Sequence, residues 1–267
     1  MDREPAVAGR FYRDDTAGLA AEVDGFLSSG SADAGPAPAI GLLAPHAGYL
    51  YSGAIAGEGY ARVRVTDRVL VMGPNHTGLG APAALWPDGR WRTPIGDVPV
   101  DPELTAALAD GPGVQEDETA HRFEHSIEVQ VPFLQRAHPG VSIAALCLSH
   151  LSLADCRRIA GTVATATSRP EALLVASSDM SHYLPAETAR ALDQRALDRV
   201  LALDPEGLYE VVHRERITMC GIVPATVMLF AARERGATRA ELVRYGNSGD
   251  ASGDMRRVVG YAAVVVR

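Results

Sequence analysis

Val69-Leu70-Val71-Met72-Gly73-Pro74-Asn75-His76 is a continuous apolar run followed by a turn and a histidine. An apolar run without alternating polar residues is typical of a strand that is covered on both faces of a parallel sheet. Leu42-Leu43-Ala44-Pro45-His46 repeats the same order of strand, proline and histidine. Because parallel strands end on one edge of a sheet, we expect both imidazoles at the edge where α/β folds bind ligands.

Further apolar runs alternate with helical patterns along the chain. The predicted strands cover residues 39–44, 69–72, 141–148, 172–176 and 258–266. The predicted helices cover residues 52–63, 124–137, 152–167, 187–203 and 224–235. This alternation predicts an α/β fold, a single three-layer domain over residues 1–267 with a largely parallel central sheet and helices on both faces.

Two stretches interrupt the alternation. Residues 83–100 contain a turn signal, Pro87-Asp88-Gly89-Arg90, between two tryptophans, and they predict an inserted hairpin. Residues 28–38 consist largely of small residues and proline, and they predict a flexible loop between a first helix and the first strand. Neither stretch requires a domain boundary.

The composition argues against several classes of function. A chain of 267 residues with 47% hydrophobic content can bury a large core. The formal net charge of -8, without any basic run, is not the footprint of a nucleic-acid-binding protein. No apolar stretch approaches the roughly 18 residues of a membrane span, and no signal-peptide core follows the first residues. We therefore expect a cytoplasmic protein that binds neither nucleic acid nor membrane.

Asp179 and His182 follow a third apolar run, at residues 173–178. A carboxylate three residues from an imidazole can orient the ring and tune its basicity, so this pair is predicted to transfer protons. The alternative is an aspartate that caps a helical turn beside an exposed histidine. His46 and His76 also have structural alternatives when each is taken alone, but their repeated setting favours a shared site.

Glu124-His125-Ser126-Ile127-Glu128 is expected to open an amphipathic helix. The two glutamates would share one face of that helix, and we interpret them as structural or as supporting other side chains. His125 would point elsewhere and line the cleft.

The three cysteines, Cys147, Cys156 and Cys220, have no CxxC spacing. They predict reduced thiols rather than a disulfide framework or a structural zinc cluster. Cys147 and Cys156 fit a packing role. Cys220 precedes Gly221 and a helix start, where the helix dipole favours a thiolate that can ligate a metal or attack carbon. Packing is the alternative for Cys220 as well.

His46, His76 and one anionic ligand would form the facial arrangement of non-haem Fe(II) sites, with open coordination positions. Cys220 would supply a soft thiolate in place of the usual carboxylate. The facial arrangement makes Fe(II) the expected metal, and the soft thiolate makes Cu or Zn the alternatives.

Motifs spread over nearly the whole chain resemble those of the Memo family, also called AmmeMemoRadiSam system protein B. They are Arg3-Glu4-Pro5-Ala6-Val7-Ala8-Gly9-Arg10-Phe11-Tyr12, Pro45-His46-Ala47-Gly48-Tyr49-Leu50-Tyr51-Ser52-Gly53, Gly73-Pro74-Asn75-His76, Glu124-His125-Ser126-Ile127-Glu128-Val129-Gln130, Ser177-Ser178-Asp179-Met180-Ser181-His182-Tyr183, Cys220-Gly221 and Tyr245-Gly246-Asn247-Ser248-Gly249-Asp250. The resemblance implies a fold like that of LigB-type class III extradiol dioxygenases.

The resemblance also implies roles for individual residues. It places the metal ligands of the family on His46 and His76 and its cysteine on Cys220. The residues that would line the same cleft as candidate catalytic groups are Asp179, His182 and His125. By analogy with the dioxygenases, a histidine near the metal would act as a general base toward a phenolic or enolic substrate.

Three functions are compatible with these residues. We favour a metal-dependent oxidoreductase that acts on an unknown small molecule. The second is a non-catalytic scaffold that binds a metal or a peptide, since the resemblance implies phosphotyrosine-peptide binding in the cleft. The third is a hydrolase or transferase with Cys220 as nucleophile, His182 as base and Asp179 as orienter. The resemblance further implies a radical SAM protein and an AMMECR1-like protein as partners.

Overall fold

Strands and helices alternate along the described part of the chain, as predicted. The computed structural model describes residues 1–29, 35–168 and 171–267. Its strands are β1 (Gly41–Ala44), β2 (Arg68–Pro74), β3 (Ala83–Leu85), β4 (Arg90–Thr93), β5 (Gly96–Pro99), β6 (Gln115–Glu116), β7 (Ser142–Leu148), β8 (Leu173–Ser177), β9 (His182–Leu184), β10 (Ala240–Asn247) and β11 (Val258–Val266). Its helices are α1 (Thr16–Ser29), α2 (Tyr49–Ala61), α3 (Pro102–Ala109), α4 (Val131–Ala137), α5 (Leu153–Ser168), α6 (Ala186–Leu201), α7 (Pro205–Glu215), α8 (Ile222–Glu234) and α9 (Gly249–Ser252).

One mixed sheet forms the middle layer, in the strand order β10-β11-β1-β8-β2-β7-β3-β6. Its four central strands, β1, β8, β2 and β7, pair in parallel. On either side, β11 and β3 pair with them in the antiparallel direction. These central strands are the apolar runs of the sequence, and the predicted α/β fold with a largely parallel centre is confirmed.

Alternate residues of the buried strands pack into two apolar layers. On β1, Leu43 belongs to the apolar layer that includes residues of α3, α5, α6, α7 and α8. Its neighbours Leu42 and Ala44 pack with residues of α1, α2 and α4 on the other face. Because helices cover both faces, the strands need no polar side, which explains their continuous apolar character.

Helix α8 is buried along most of its length but has only 13 residues. A helix needs about 20 apolar residues to cross a bilayer. Within residues 1–29, 35–168 and 171–267, no helix is long and apolar enough to do so.

The predicted helix over residues 124–137 is wrong in its first half. Helix α4 begins only at Val131, after a short 3₁₀ turn at Glu128–Gln130. The carboxylate of Glu124 accepts the backbone N–H groups of His125 and Ser126, each at 2.9 Å. Such local bonds compete with helix formation. The two glutamates therefore do not share a helix face.

A hairpin lies within residues 83–100, as predicted, but its turn is not at residues 87–90. Strand β4 pairs with β5, and Thr93 lies opposite Gly96, so residues 94–95 form the turn. Gly96 has a φ of 124°, which favours glycine. Of the predicted loop at residues 28–38, positions 30–34 lie outside the described residues.

Candidate metal centre

Strand β1 leads directly to His46, whose ring is buried at the carboxyl edge of the sheet. Its Nδ1 atom lies 2.9 Å from the Oγ atom of Ser177. The Ser177 hydroxyl donates its only proton to the carbonyl oxygen of Ser126 at 2.6 Å, so it must accept the Nδ1–H of His46. The Nε2 atom of His46 therefore carries the lone pair, and it faces the Sγ atom of Cys220 at 3.2 Å.

Strand β2 leads to His76 in the same way. The Nδ1 atom of His76 lies 2.9 Å from the Oε1 atom of Glu124, and its backbone N–H donates to Oε2 at 2.5 Å. A carboxylate only accepts hydrogen bonds, so Nδ1 of His76 carries a proton, and in the neutral ring Nε2 carries the lone pair. Gly73 lets the segment that carries Glu124 and Ser126 lie close to β2, since a Cβ atom at position 73 would lie 2.5 Å from the Oγ atom of Ser126.

Cys220 lies immediately before helix α8, against the end of β8. A Cβ atom on the next residue, Gly221, would lie 2.4 Å from the carbonyl oxygen of Ser177, so only glycine fits there. The Sγ atom of Cys220 accepts the backbone N–H of Asp179 at 3.3 Å. Burial and, after it, the charge of Asp179 raise the pKa of the Cys220 thiol. The expectation that the helix start favours a thiolate is therefore wrong for the metal-free protein.

The three donors His46, His76 and Cys220 form one cluster, and their ligand atoms lie within 4.8 Å of one another. Bonds of roughly 2.0–2.3 Å to one ion would place such atoms about 3–4.5 Å apart. Burial, and then the neighbouring rings of His125 and His76, hold the pKa of His46 well below its usual value. His46 is therefore neutral at physiological pH, as a ligand must be.

A second cluster, His76, Glu124 and His125, also has ligand atoms within 4.8 Å of one another. However, the Glu124 carboxylate already accepts N–H groups from His76, His125 and Ser126. Burial raises its pKa, but the hydrogen bond and charge of His76 outweigh burial and lower the pKa to about 2. Glu124 is therefore a charged support for His76, and a metal would have to displace these bonds.

His125 lines the cleft, as the sequence predicts. Its ring stacks on His76 with a centroid distance of 4.6 Å and lies 4.7 Å from the ring of Phe11. Burial lowers the pKa of His125 to about 4. The ring is therefore neutral at physiological pH.

Asp179 and His182 lie in the same region but do not orient one another through a hydrogen bond. Asp179 Oδ1 accepts the backbone N–H of His46 at 2.8 Å, and burial raises the pKa of this carboxyl group to about 6. The His182 ring is oriented by Thr218, whose carbonyl oxygen lies 2.8 Å from Nδ1. Since a carbonyl only accepts, Nδ1 of His182 carries a proton, and in the neutral ring Nε2 carries the lone pair. Thr218 replaces Asp179 as the orienting residue.

Three supporting residues were not predicted, namely Ser177, Gln130 and Thr218. The Gln130 amide donates to Ser177 Oγ at 2.8 Å and to the carbonyl oxygen of Pro45 at 2.9 Å. Gln130 thereby ties the end of β1 to the end of β8. Ser177 is a polar residue at the end of an apolar run, and both Ser177 and Gln130 lie within motifs of the family resemblance; these are the signals that could have found them. Thr218 carries no such signal.

The fold and this cleft define an α/β protein with a histidine, histidine and cysteine cluster at the carboxyl edge of its sheet. The chain belongs to the Memo family: the family of Memo-like proteins matches residues 3–265. The family resemblance seen in the sequence motifs is thus confirmed.

Relatives from archaea and bacteria match over almost their whole length. A MEMO1 family protein of Methanopyrus kandleri is 39% identical, covering 100% of this chain and 99% of its own. Those of Methanosarcina barkeri and Aquifex aeolicus are 41% and 40% identical, covering 99% and 98% of this chain and the same shares of their own. Among solved structures, an uncharacterized protein of Escherichia coli K12 matches with a TM-score of 0.56 and 17% identity, over 84% of this chain and 98% of that chain. This last likeness concerns the fold alone.

Proposed function

We propose that the cleft is a mononuclear metal centre and that the protein is a metal-dependent oxidoreductase acting on a small molecule. The ligands would be Nε2 of His46, Nε2 of His76 and Sγ of Cys220, with Fe(II) as the resident metal and Cu or Zn as alternatives. One observation carries the proposal: Ser177 and Glu124 each accept a hydrogen bond from a ring Nδ1–H, so that the Nε2 atoms of the two neutral rings present their lone pairs beside one cysteine sulfur.

The bound cation would supply Lewis acidity toward a substrate oxygen and would lower the pKa of the Cys220 thiol. Ser177 and Glu124 hold the two ligand rings in orientation. His182 offers an unpaired Nε2 atom, because its Nδ1 atom is engaged by Thr218. His182 is therefore proposed as the general base that takes a proton from a substrate hydroxyl, with neutral His125 as a second wall of the cleft.

Two observations weigh against the alternative of a cysteine-dependent hydrolase or transferase. A nucleophilic cysteine needs a lowered pKa, whereas burial raises the pKa of Cys220. This mechanism also needs a hydrogen bond between His182 and Asp179. The Nδ1 atom of His182 is instead hydrogen-bonded to the carbonyl oxygen of Thr218.

Elemental analysis of anaerobically purified protein tests the metal centre. We expect about one Fe per chain, and His46→Ala or Cys220→Ser should weaken metal binding by more than about 100-fold, since loss of a supporting residue alone commonly gives 10–100-fold. The matched control is His213→Ala, an exposed histidine on α7 that should leave metal binding unchanged. Stoichiometric metal in His46→Ala, or none in the wild type, would contradict the site.

Dioxygen uptake tests the redox function separately. Iron-loaded protein with catechol as the probe should consume dioxygen, measured with an oxygen electrode, and His46→Ala should not. Full metal loading without uptake for catechol or related phenols would favour the binding scaffold instead.

A further inference from the structure

Several exposed aromatic and apolar side chains lie close in sequence to the residues of the cleft. They are Leu50, Tyr51, Leu79, Phe123 and Tyr183, and the largest exposed fractions are those of Leu50 at 75%, Phe123 at 71% and Tyr183 at 66%. Tyr183 stands out because it directly follows His182, and its ring centroid lies 5.8 Å from the His182 ring.

The backbone of Tyr183 is in an unfavourable conformation. Its φ of 61° lies in the left-handed region, which is disfavoured for residues with a Cβ atom. The pairing of β9 with β11 explains this geometry: Val258 lies opposite Leu184 and the next residue, Val259, lies opposite His182. Tyr183 is therefore the extra residue of a β-bulge, a device that re-aims a side chain.

Arg257 also lies beside the exposed ring. Its Cζ atom lies 5.6 Å from the Tyr183 centroid. The neighbouring Arg256 pairs with Asp254 at 3.1 Å, whereas Arg257 forms no ion pair within the described residues. The guanidinium is thus free to stack on the tyrosine, whose ring also lies close to that of His182.

Neither packing nor backbone conformation explains a tyrosine at this position. A glycine or asparagine would adopt the bulge without strain, and a ring that is 66% exposed buries little apolar surface. We propose that Tyr183 is a specificity-determining residue whose ring contacts a planar, conjugated group of the substrate, with Arg257 as the residue that positions the ring. This inference rests on the proposed function and adds the residue that recognises the planar part of the substrate.

A matched pair of probes isolates the ring contact. Benzohydroxamate and acetohydroxamate chelate a metal through the same group, but one carries a phenyl ring and the other a methyl group. The measured quantity is the ratio of their dissociation constants, obtained by calorimetry. Wild-type protein should prefer benzohydroxamate, and Tyr183→Gly should lower this preference by about tenfold, while Tyr183→Phe retains it. Arg257→Gln should lower it by about threefold.

Two further measurements separate recognition from folding. Tyr183→Gly relieves the strained backbone, so its melting temperature should equal or exceed that of the wild type. Arg216→Gly is the matched control, because exposed Arg216 also has a positive φ, of 54°. Relief of the backbone strain at this position should leave the probe preference unchanged. Where the glycine variant folds poorly, Tyr183→Asn takes its place, since asparagine tolerates the same φ.

The outcomes for the two proposals differ. Metal content and acetohydroxamate affinity report on the metal centre alone, and both should be the same in wild type and Tyr183→Gly. An unchanged probe preference in Tyr183→Gly overturns the role of Tyr183 even when the metal centre is intact. When the wild type binds neither metal nor the hydroxamates, the metal centre fails, and the inference for Tyr183, which rests on it, is overturned with it.

Discussion

The Nε2 atom of His46 lies 3.2 Å from the Sγ atom of Cys220, although 174 positions separate the two residues in the chain. His46 is neutral because burial lowers its pKa, and its proton is on Nδ1 because Ser177 accepts a hydrogen bond from that N–H group. The thiol is protonated, because burial raises its pKa. In the metal-free protein the contact is therefore a hydrogen bond from a neutral thiol to a neutral imidazole.

This contact predicts that metal binding releases about one proton, that of Cys220. His46 has none to lose at neutral pH, since burial holds its pKa well below the usual value. Metal affinity should therefore rise with pH by about tenfold per unit between pH 7 and 8, above the pKa of about 6 of the neighbouring Asp179. Calorimetry in buffers of different ionisation enthalpy measures the released proton. Cys220→Ser should release none, and affinity independent of pH in the wild type would refute the prediction.

Glu124→Gln should weaken metal binding by about 10–100-fold without removing a ligand. The glutamine keeps one carbonyl oxygen but replaces the other acceptor with an NH2 group, which would face the N–H groups of His76. His76 would then lose the partner that fixes its Nδ1 proton. A competition titration with a chelator measures the affinity. Glu118→Gln, which removes only a contact with Arg122 at 3.3 Å, is the control and should bind metal normally.

His121 predicts a loss of stability on acidification. Its ring is fully buried between Trp86 and Trp91, and burial lowers its pKa to about 4. In the unfolded chain this pKa is about 6.5, so the unfolded state binds more protons between pH 6.5 and 4. The stabilisation is complete above pH 6.5 and is lost as the pH falls toward 4.

Urea unfolding at pH 7 and pH 5 measures this effect. His121 should account for about 2 kcal/mol of the stability that the wild type loses between the two values. His121→Gln keeps an N–H donor for the carbonyl oxygen of Ala84, and this variant should lose correspondingly less stability between pH 7 and pH 5. His138→Gln, a substitution near the surface, should behave like the wild type. Equal losses in wild type and His121→Gln would rule out His121 as the source.

The position of His46 and His76 could be predicted from the sequence because it depends on strand direction alone. Any parallel sheet brings the residues after β1, β2 and β8 to one edge, and apolar runs reveal such strands. Cys220 could be predicted as the third candidate ligand from its position just before a helix. The family resemblance pointed to the same three residues.

The partner of His182 could not be predicted, because distant backbone contacts determine the loop that carries it. Met180 donates to the carbonyl oxygen of Gly260 at 2.8 Å, and Gly260 donates back to that of Ser181 at 2.9 Å. In the loop that these bonds hold, Asp179 accepts the backbone N–H of His46, and the ring of His182 is hydrogen-bonded to Thr218. No local pattern encodes a contact with β11, almost 80 residues further along the chain.

Strand β10 and the start of α4 were missed for a different reason. The residues of Ala240–Asn247 mix exposed and half-buried positions without a clear period, so periodicity gives no strand signal. At residues 124–127 the helical pattern is present, but Glu124 uses its carboxylate on nearby backbone N–H groups instead. Side-chain chemistry at the site thus overrides the local propensity.

Arg3→Met should destabilise the protein far more than Arg92→Met, although both arginines form ion pairs that tie the start of the chain to the rest of the protein. Arg3 is buried, and its NH1 atom lies 2.6 Å from the equally buried Oε2 of Glu128. Arg92 is 46% exposed and pairs with Asp2 and Glu4 at the surface. Removing Arg3 leaves an unpaired buried charge, which costs about 3–5 kcal/mol, whereas a surface pair contributes about 0–1 kcal/mol.

Urea unfolding of metal-free protein measures both losses. The Arg3 variant should also bind metal more weakly, because Arg3 donates to the carbonyl oxygens of His121 and Glu124 and so holds the segment that supports His76. The Arg92 variant should bind metal normally. Similar small losses of stability in the two variants would mean that the Arg3–Glu128 pair does not anchor the start of the chain, and normal metal affinity in Arg3→Met would mean that His76 is positioned independently of it.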